Sequence, residues 1–154
     1  MKALFFLLWL LPAAGAAQTY ALLDRDFKRP LIVTDAITTD LMHDRRFPVY
    51  TKDIDSLISF TERLQKHMNT GKTYDEATVR YDVGGSWFMA QREKIGKVNK
   101  YHITINTRAQ DVGASLELVS DTDGSKAAAQ KVNIFLDYLR NNRLLIEQAL
   151  SNPR

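Results

Sequence analysis

Cysteine is absent from this 154-residue sequence. The chain therefore has no disulfide, no thiol nucleophile, no Cys-ligated zinc and no cysteine that could carry a lipid anchor. It also lacks an Asn-x-Ser/Thr acceptor for N-glycosylation, because every Asn fails at the third position. A small exported protein without cysteines or glycosylation sites fits a bacterial periplasm or exterior better than an animal secretion.

Long apolar runs are also scarce, and the longest stands at the N-terminus. Met1-Lys2 gives a positive start, residues 3–11 are uncharged, and residues 13–17 are small. This order predicts a secretory signal peptide over residues 1–17, cleaved before Gln18. The alternative, a permanent anchor, needs about 20 apolar residues, more than this proline-interrupted run supplies. We expect an exported protein of about 137 residues without a membrane span after cleavage.

Neither sign of charge is in large excess. The chain carries 21 Lys and Arg against 18 Asp and Glu, a formal net charge of +3. So small an imbalance does not predict nucleic-acid binding, which relies on a strongly basic surface. A chain of about 137 residues is long enough for one domain that buries roughly two-thirds of its unfolded surface. Residues 18–154 are therefore expected to form one folding unit.

Residues 18–50 show no strong hydrophobic periodicity. Leu31-Ile32-Val33, after Pro30, is the one possible short strand in this segment, and Phe47 is expected to be extended because it precedes a proline. We predict a largely irregular N-terminal segment over residues 18–50, followed by a single α+β domain over residues 51–154.

A helix is predicted to begin near Thr51 or Asp53 and to end near Gly71. Acidic residues in its first turn and basic residues in its last turn both suit the helix dipole. Apolar residues recur along one stripe of this helix. They are Ile54, Leu57, Ile58, Leu64 and Met68.

Alternation of apolar and polar residues predicts four strands between residues 78 and 119. The first covers residues 78–83, the second runs from Trp87 to about Lys94, and the third and fourth centre on residues 101–106 and 115–118. Gly84-Gly85 suits a two-residue hairpin loop. Because the connections are short, we expect an antiparallel meander; parallel strands would need crossovers of a dozen or more residues.

A second helix is predicted from about Ser125 to Ser151, before Asn152-Pro153. Its apolar stripe comprises Ala128, Val132, Phe135, Leu139, Ile146 and Ala149. Asn141-Asn142 interrupts the middle, so a kink or a break into two helices is an alternative. Burying both helical stripes gives the expected α+β fold: a helix, a four-stranded antiparallel meander, and a long C-terminal helix packed on the sheet.

Three local patterns resemble catalytic or metal-binding motifs, and none meets the requirements. Gly71-Lys72-Thr73 resembles the end of a phosphate-binding loop, but Lys66 stands where that loop needs a glycine. Residues 121–124 resemble part of a calcium loop, but its first ligand position falls on Val119, which has no side-chain oxygen. The histidines lack the i, i+4 spacing of two ligands on one helix: His43, His67 and His102. We therefore predict no catalytic residue, metal site or cofactor.

Basic residues concentrate in the strand region, where they suggest a surface for a partner. If Gly84-Gly85 alone forms the loop, Trp87 and Met89 face away from the core, beside Arg80. If Ser86 joins the loop, the register shifts by one and both turn inward. The first register sets a Trp beside an Arg, a combination enriched at interaction hot spots. The candidate partner surface comprises Arg80, Trp87, Met89, Arg92, His102 and Arg108.

These features favour a small exported, non-catalytic domain that binds another exported protein or a cell-envelope component. An alternative is a carrier that holds a small apolar ligand between the sheet and the C-terminal helix, beside Phe135, Tyr138 or Leu139. A third is a small hydrolase, which would need converging carboxylates or a buried histidine with a displaced pKa. A continuous apolar patch would favour the binder, and a deep pocket would favour the carrier.

Overall fold

A computed structural model of the chain describes residues 18–69, 78–83, 86–95, 98–109, 112–120 and 124–151. The elements in chain order are β1 (Tyr20–Asp24), β2 (Ile32–Thr34), α1 (Thr39–His43), β3 (Arg46–Tyr50), a 3₁₀ helix (Thr51–Asp53), α2 (Ile54–Asn69), β4 (Thr78–Val83), β5 (Ser86–Ile95), β6 (Val98–Ala109), β7 (Val112–Val119) and α3 (Ser125–Ser151). The predicted signal peptide, the phosphate-loop string at residues 71–73 and the acidic part of the calcium-like string at 121–123 lie outside the described residues.

The strands form two antiparallel sheets, so the expectation of one four-stranded sheet is incomplete. β2-β1-β3 make a three-stranded sheet and β4-β5-β6-β7 a four-stranded sheet in consecutive order. The consecutive order follows from the short connections, which cannot accommodate a crossover. Val83 pairs with Ser86 and Asp82 with Trp87, which is the register that a two-residue loop predicts.

The three-stranded sheet lies in the segment predicted to be largely irregular, and β1 and β3 are strands that this prediction did not include. The possible short strand at Leu31-Ile32-Val33 corresponds to β2, one residue later, and Phe47 is extended within β3, as expected. Every position of β1 is buried, so the strand has no apolar–polar alternation to reveal it. β3 contains Pro48, which weakens a strand signal in the sequence, but β3 stands at the edge of its sheet, where proline is tolerated.

Both long helices are confirmed close to their predicted bounds. The 3₁₀ helix Thr51–Asp53 leads directly into α2, and α3 runs unbroken from Ser125 to Ser151. The predicted alternative of a break at Asn141-Asn142 does not occur. The side-chain amide of Asn142 donates to the carbonyl of Tyr138 at 2.7 Å, within the helix. This asparagine is buried and therefore has a structural role in a continuous helix.

One buried cluster joins both sheets to α2 and α3. It includes Leu23 from β1, Phe47 from β3, Ile105 from β6 and Phe135 from α3. α3 packs along α2 and against β6 and β7, while β3 also contacts β6 and β7. The segment before residue 51 is thus part of the core. Among the described residues, no helix has the length and apolar character needed to cross a bilayer.

Candidate functional site

The loop between β1 and β2, residues 25–31, is held by a buried carboxylate at the end of β1. Asp24 is 1% exposed, and its Oδ2 accepts hydrogen bonds from the backbone amides of Lys28 at 2.8 Å and Arg29 at 3.0 Å. Its Oδ1 accepts from the Arg29 guanidinium at 3.2 and 3.3 Å. Asp and Asn side chains commonly close turns in this way, by bonding to nearby backbone amides. We call this segment the Asp24 loop.

A second carboxylate converges on the same guanidinium from the end of α1. Arg29 Nη1 donates to both carboxylate oxygens of Asp44, at 2.9 and 3.0 Å, and Nη2 donates to the Asp44 carbonyl at 2.8 Å. Burial opposes ionisation of Asp24, but the amides of Arg29 and Lys28 and the guanidinium outweigh it and hold the pKa of Asp24 below 3.8. Hydrogen bonds from Arg29 also lower the pKa of Asp44. Both carboxylates are therefore ionised. They share the single positive charge of Arg29, and the Arg46 guanidinium lies 3.5 Å from Asp44 as a second cation.

Helix α3 fixes the Asp24 loop from the other side. The Tyr138 hydroxyl accepts a hydrogen bond from the Asp24 amide at 2.8 Å, and Asn142 Oδ1 accepts from the Leu31 amide at 3.2 Å. Burial raises the pKa of Tyr138, so its phenol is neutral at physiological pH. Arg46, itself buried, donates to the carbonyl of Pro30 at 2.7 Å. The loop is thus anchored to both the sheet and the helix.

Phe27, within this loop, adopts an unusual backbone conformation. Its φ is 57°, in the left-handed region that bulky residues rarely enter, at a cost of about 1–2 kcal/mol. Its ring lies 4.9 Å from that of Phe135 and 5.5 Å from that of Tyr138, measured between centroids. Aromatic packing and the Asp24 bonds together offset this cost, so the loop has a defined shape.

A groove of about 710 Å³ lies between the Asp24 loop and α3. Residues 27–30 form one side, and the outer surface of α3 between Ile134 and Gln148 forms the other; we call it the α3 groove. Large apolar side chains are exposed along it: Ile134 at 47%, Leu144 at 65% and Leu145 at 41%. Among the large apolar side chains whose exposure the structure describes, these three and Ile32 are exposed, and Ile32 lies outside the groove.

The polar groups of the α3 groove are arranged asymmetrically. Lys28 stands on the loop side and Asp137 on the helix side, and neither side chain takes part in an ion pair with another described residue. Asn141 and Gln148 add uncharged amides to the helix side. The groove thus combines exposed apolar side chains with one positive and one negative charge that form no ion pair with another described residue.

The six residues of the predicted partner surface do not all fall on one face of the sheet. Arg80 pairs with Met89, Met89 with Thr104 and Trp87 with Asn106, and cross-strand partners share a face. By the same alternation His102 and Arg108 belong to that face. Arg92 instead pairs with Tyr101, which alternates in phase with buried Ile103. The role of these residues as a partner surface therefore stays a prediction.

His102 is the one residue of that surface whose side chain is described. Its imidazole is 39% exposed, and its Nδ1 lies 3.6 Å from a carboxylate oxygen of Glu117 on the neighbouring strand. A half-exposed pair of this kind is typical of a sheet surface and contributes little to stability. Within the described residues no three or more His, Asp or Glu side chains form a cluster that could hold a metal ion.

Sequence reasoning missed the α3 groove, although α3 itself was predicted correctly. Five residues of the predicted apolar stripe are buried in the core: Ala128, Val132, Phe135, Leu139 and Ile146. Ile134, Leu144 and Leu145 fall outside that stripe. Apolar residues off the main stripe are a signal of a second contact surface. The position of the Asp24 loop beside them depends on contacts with Tyr138 and Asn142, more than 100 residues away in sequence.

No protein-family model, no curated protein and no solved structure matches this chain.

Proposed function

We propose that this chain is a small exported, non-catalytic domain that binds another protein through the α3 groove. The observation that carries the proposal is the exposure of Ile134, Leu144 and Leu145 along one side of a rigidly anchored loop. Apolar side chains flanked by polar groups are the usual centre of a protein interface. Because the loop is anchored by Asp24 and Tyr138, little conformational entropy would be lost on binding.

Two observations favour binding at this open surface over carriage of a small apolar ligand. The residues expected to line a carrier pocket, Phe135 and Leu139, are both 0% exposed and belong to the packed core. Tyr138, the third, is 6% exposed, and its hydroxyl bonds to the Asp24 amide. A carrier needs a concave site that buries most of its ligand, whereas the α3 groove is open.

The converging carboxylates do not favour a hydrolase. Asp24 and Asp44 both approach Arg29, as a pair of catalytic carboxylates approaches a substrate, but their pKa values are lowered. A general acid in such an enzyme needs a pKa raised towards neutrality. We therefore assign this ion-pair network to holding the loop that borders the groove.

Export is part of the proposal and has its own test. The apolar segment and small residues before Gln18 support cleavage by a signal peptidase. Mass spectrometry of the protein recovered from its native host is expected to find an N-terminus at or near Gln18. An intact Met1 on the recovered protein would refute export by this route.

Affinity capture from the native envelope fraction tests the binding function. Leu145→Glu places a charge in the groove, and Gln130→Glu places the same charge on an exposed part of α3 outside it. The wild type and Gln130→Glu are expected to retain the same protein, and Leu145→Glu to bind the purified protein at least about tenfold more weakly. Circular dichroism checks that both variants fold. Equal retention by all three, or retention of lipid alone, would contradict the proposal.

A further inference from the structure

The α3 groove has the charge pattern of a surface that fits a second copy of itself. We propose that two copies of this chain associate through their grooves, with their α3 helices packed in parallel about a two-fold axis. Lys28 of each copy then faces Asp137 of the other. The inference rests on the proposed function, because it names the protein that occupies the groove.

The surface of α3 that lines the groove, which we call its free face, is bounded on both sides. On one side the Asp24 loop packs against Tyr138 through Phe27 and is tied to Asn142. On the other side α2 is joined to α3 by the 2.7 Å ion pair between Glu62 and Arg140. Successive residues of a helix are rotated by about 100° about its axis, so Asp137, which precedes Tyr138, lies on the side of the free face that is nearer α2. Leu144 follows Asp137 by seven residues, or two helical turns, and lies on the same side.

Symmetry then determines which packing brings the free charges together. A two-fold axis parallel to the helices preserves height along α3 and exchanges the two sides of its free face. The Asp24 loop of each copy is thereby set against the Asp137 and Leu144 side of the other. Lys28 is next to Phe27, which packs on Tyr138, so it lies at nearly the height of Asp137. An antiparallel pair would keep both loops on one side and leave both charges unmatched.

The apolar residues suit the same arrangement. In a parallel two-fold pair each central residue meets its own counterpart, so Ile134 and Leu145, both exposed in a single copy, would be covered. Asn141 lies seven residues after Ile134, and its amide can both donate to and accept from the same amide of the other copy. A polar Asn at one such position specifies register in parallel helix pairs.

The interface is small, so association is expected to be reversible. From Ile134 to Gln148 the groove side of α3 spans about 21 Å. Sedimentation velocity of the protein as secreted, over about 1–500 µM, is expected to show a concentration-dependent monomer–dimer equilibrium. Lys28→Asp and Asp137→Lys each place like charges together at two symmetric contacts, and each is expected to weaken the dimer about tenfold or more.

Mixing the two variants is the decisive measurement. In a mixed dimer both symmetric contacts again join opposite charges, so an equimolar mixture is expected to recover dimer that neither variant forms alone. Recovery also shows that both variants are folded. Lys126→Asp, at an exposed position of α3 outside the groove, controls for net charge and is expected to leave the dimer unchanged.

The remaining outcomes separate this inference from the proposed function. A wild-type dimer that the mixture does not restore would overturn the parallel two-fold arrangement. A wild type that stays monomeric, with capture of a different protein still lost in Leu145→Glu, would overturn the inference and leave the binding function standing. A monomer whose capture is unaffected by Leu145→Glu would overturn both.

Discussion

Asp24 is the residue on which the local structure of the candidate site depends. It ends β1, is 1% exposed, and accepts hydrogen bonds from two backbone amides and a guanidinium. Its own amide donates to Tyr138. A buried carboxylate that is fully hydrogen-bonded is tolerated because its partners replace the water it has lost. Asp24 therefore couples the end of a strand, the loop after it and the C-terminal helix.

Replacing this carboxylate tests the coupling. Asp24→Asn keeps the shape of the side chain but replaces one acceptor oxygen with a donor, which would oppose either backbone amides or Arg29. The free energy of unfolding is expected to fall by about 2–3 kcal/mol, the cost of a buried polar group with unmatched partners. Urea denaturation of the wild type and the variant measures it.

Asp44→Asn is the matched control. Asp44 contacts the same guanidinium, but its side chain is 51% exposed, and water can replace the lost interactions. Its midpoint in urea is expected to stay close to that of the wild type. Equal losses in Asp24→Asn and Asp44→Asn would show that burial of Asp24 is not what makes it important.

At the scale of elements, periodicity predicted α2, α3 and the meander of β4–β7 well. Their apolar residues alternate or recur because one side of each element faces the core and the other does not. The strand β1 lacks such a pattern because it is covered on both faces, and β3 is hidden by Pro48. Short strands with no exposed face cannot be recognised by period, so β1 and β3 escape prediction, while β2, which has an exposed position, matches the possible strand at Leu31-Ile32-Val33.

Asn142 links helix α3 to the candidate site. The sequence pattern allows a break in α3 at this residue, yet the helix is continuous and the Asn142 side-chain oxygen accepts a hydrogen bond from the buried amide of Leu31. Asn142→Ala is expected to lower the free energy of unfolding by about 1–3 kcal/mol, because that amide loses its acceptor. Asn141→Ala, at an exposed neighbouring position, is expected to be neutral or to stabilise by up to about 0.7 kcal/mol through helix propensity.

Thermal or urea unfolding of both alanine variants makes the comparison. The two substitutions are identical in chemistry and adjacent in sequence, so they differ in burial and partner alone. A destabilised Asn141→Ala with an unaffected Asn142→Ala would contradict the tie between α3 and the Asp24 loop.

The hairpin register gives a prediction for the four-stranded sheet. Trp87 pairs with Asn106, which is partly exposed, so the register predicts a solvent-facing indole. The sequence contains two tryptophans, and without residues 1–17 Trp87 is the remaining one. Its fluorescence is expected to resemble tryptophan in water and to be quenched by acrylamide nearly as well in the folded as in the unfolded protein. Blue-shifted, protected emission would indicate that this face is covered.

At the scale of the whole molecule, the site depends on contacts between distant parts of the chain. The Asp24 loop and α3 are both recognisable as local features, but the hydrogen bond from Asp24 to Tyr138 spans 114 positions. No local pattern encodes such a pairing. The groove arises because the first sheet, of which the sequence predicts the strand β2 alone, brings the loop to the helix. The position of the groove could therefore be identified from the three-dimensional structure but not from local sequence patterns.

The titration of the buried network predicts how the whole molecule responds to acid. The pKa of Asp24 is lowered in the folded state, so this buried carboxylate contributes its full stabilisation above its ordinary pKa of 3.8. That contribution is lost as the pH falls through the folded-state pKa, because the unfolded chain then binds more protons. The pKa of Asp44 is lowered as well, but Asp44 is half-exposed and adds little to stability. The urea midpoint is expected not to change with the ionisation of Asp24 above about pH 5 and to fall below pH 4.

Asp24→Asn removes the buried member of this network and isolates its part of the acid response. The variant is less stable at neutral pH, and its midpoint is expected to decline less steeply between about pH 4 and 2, because one fewer proton is taken up on unfolding. At high pH the burial of Tyr138 makes stability fall as the pH rises. Burial raises the pKa of Tyr138 above 10.0 in the folded protein, so beyond that pH the unfolded chain loses a proton that the folded chain keeps. If the urea midpoints of the wild type and the variant declined equally steeply between about pH 4 and 2, protonation of Asp24 would not contribute to the loss of stability in acid.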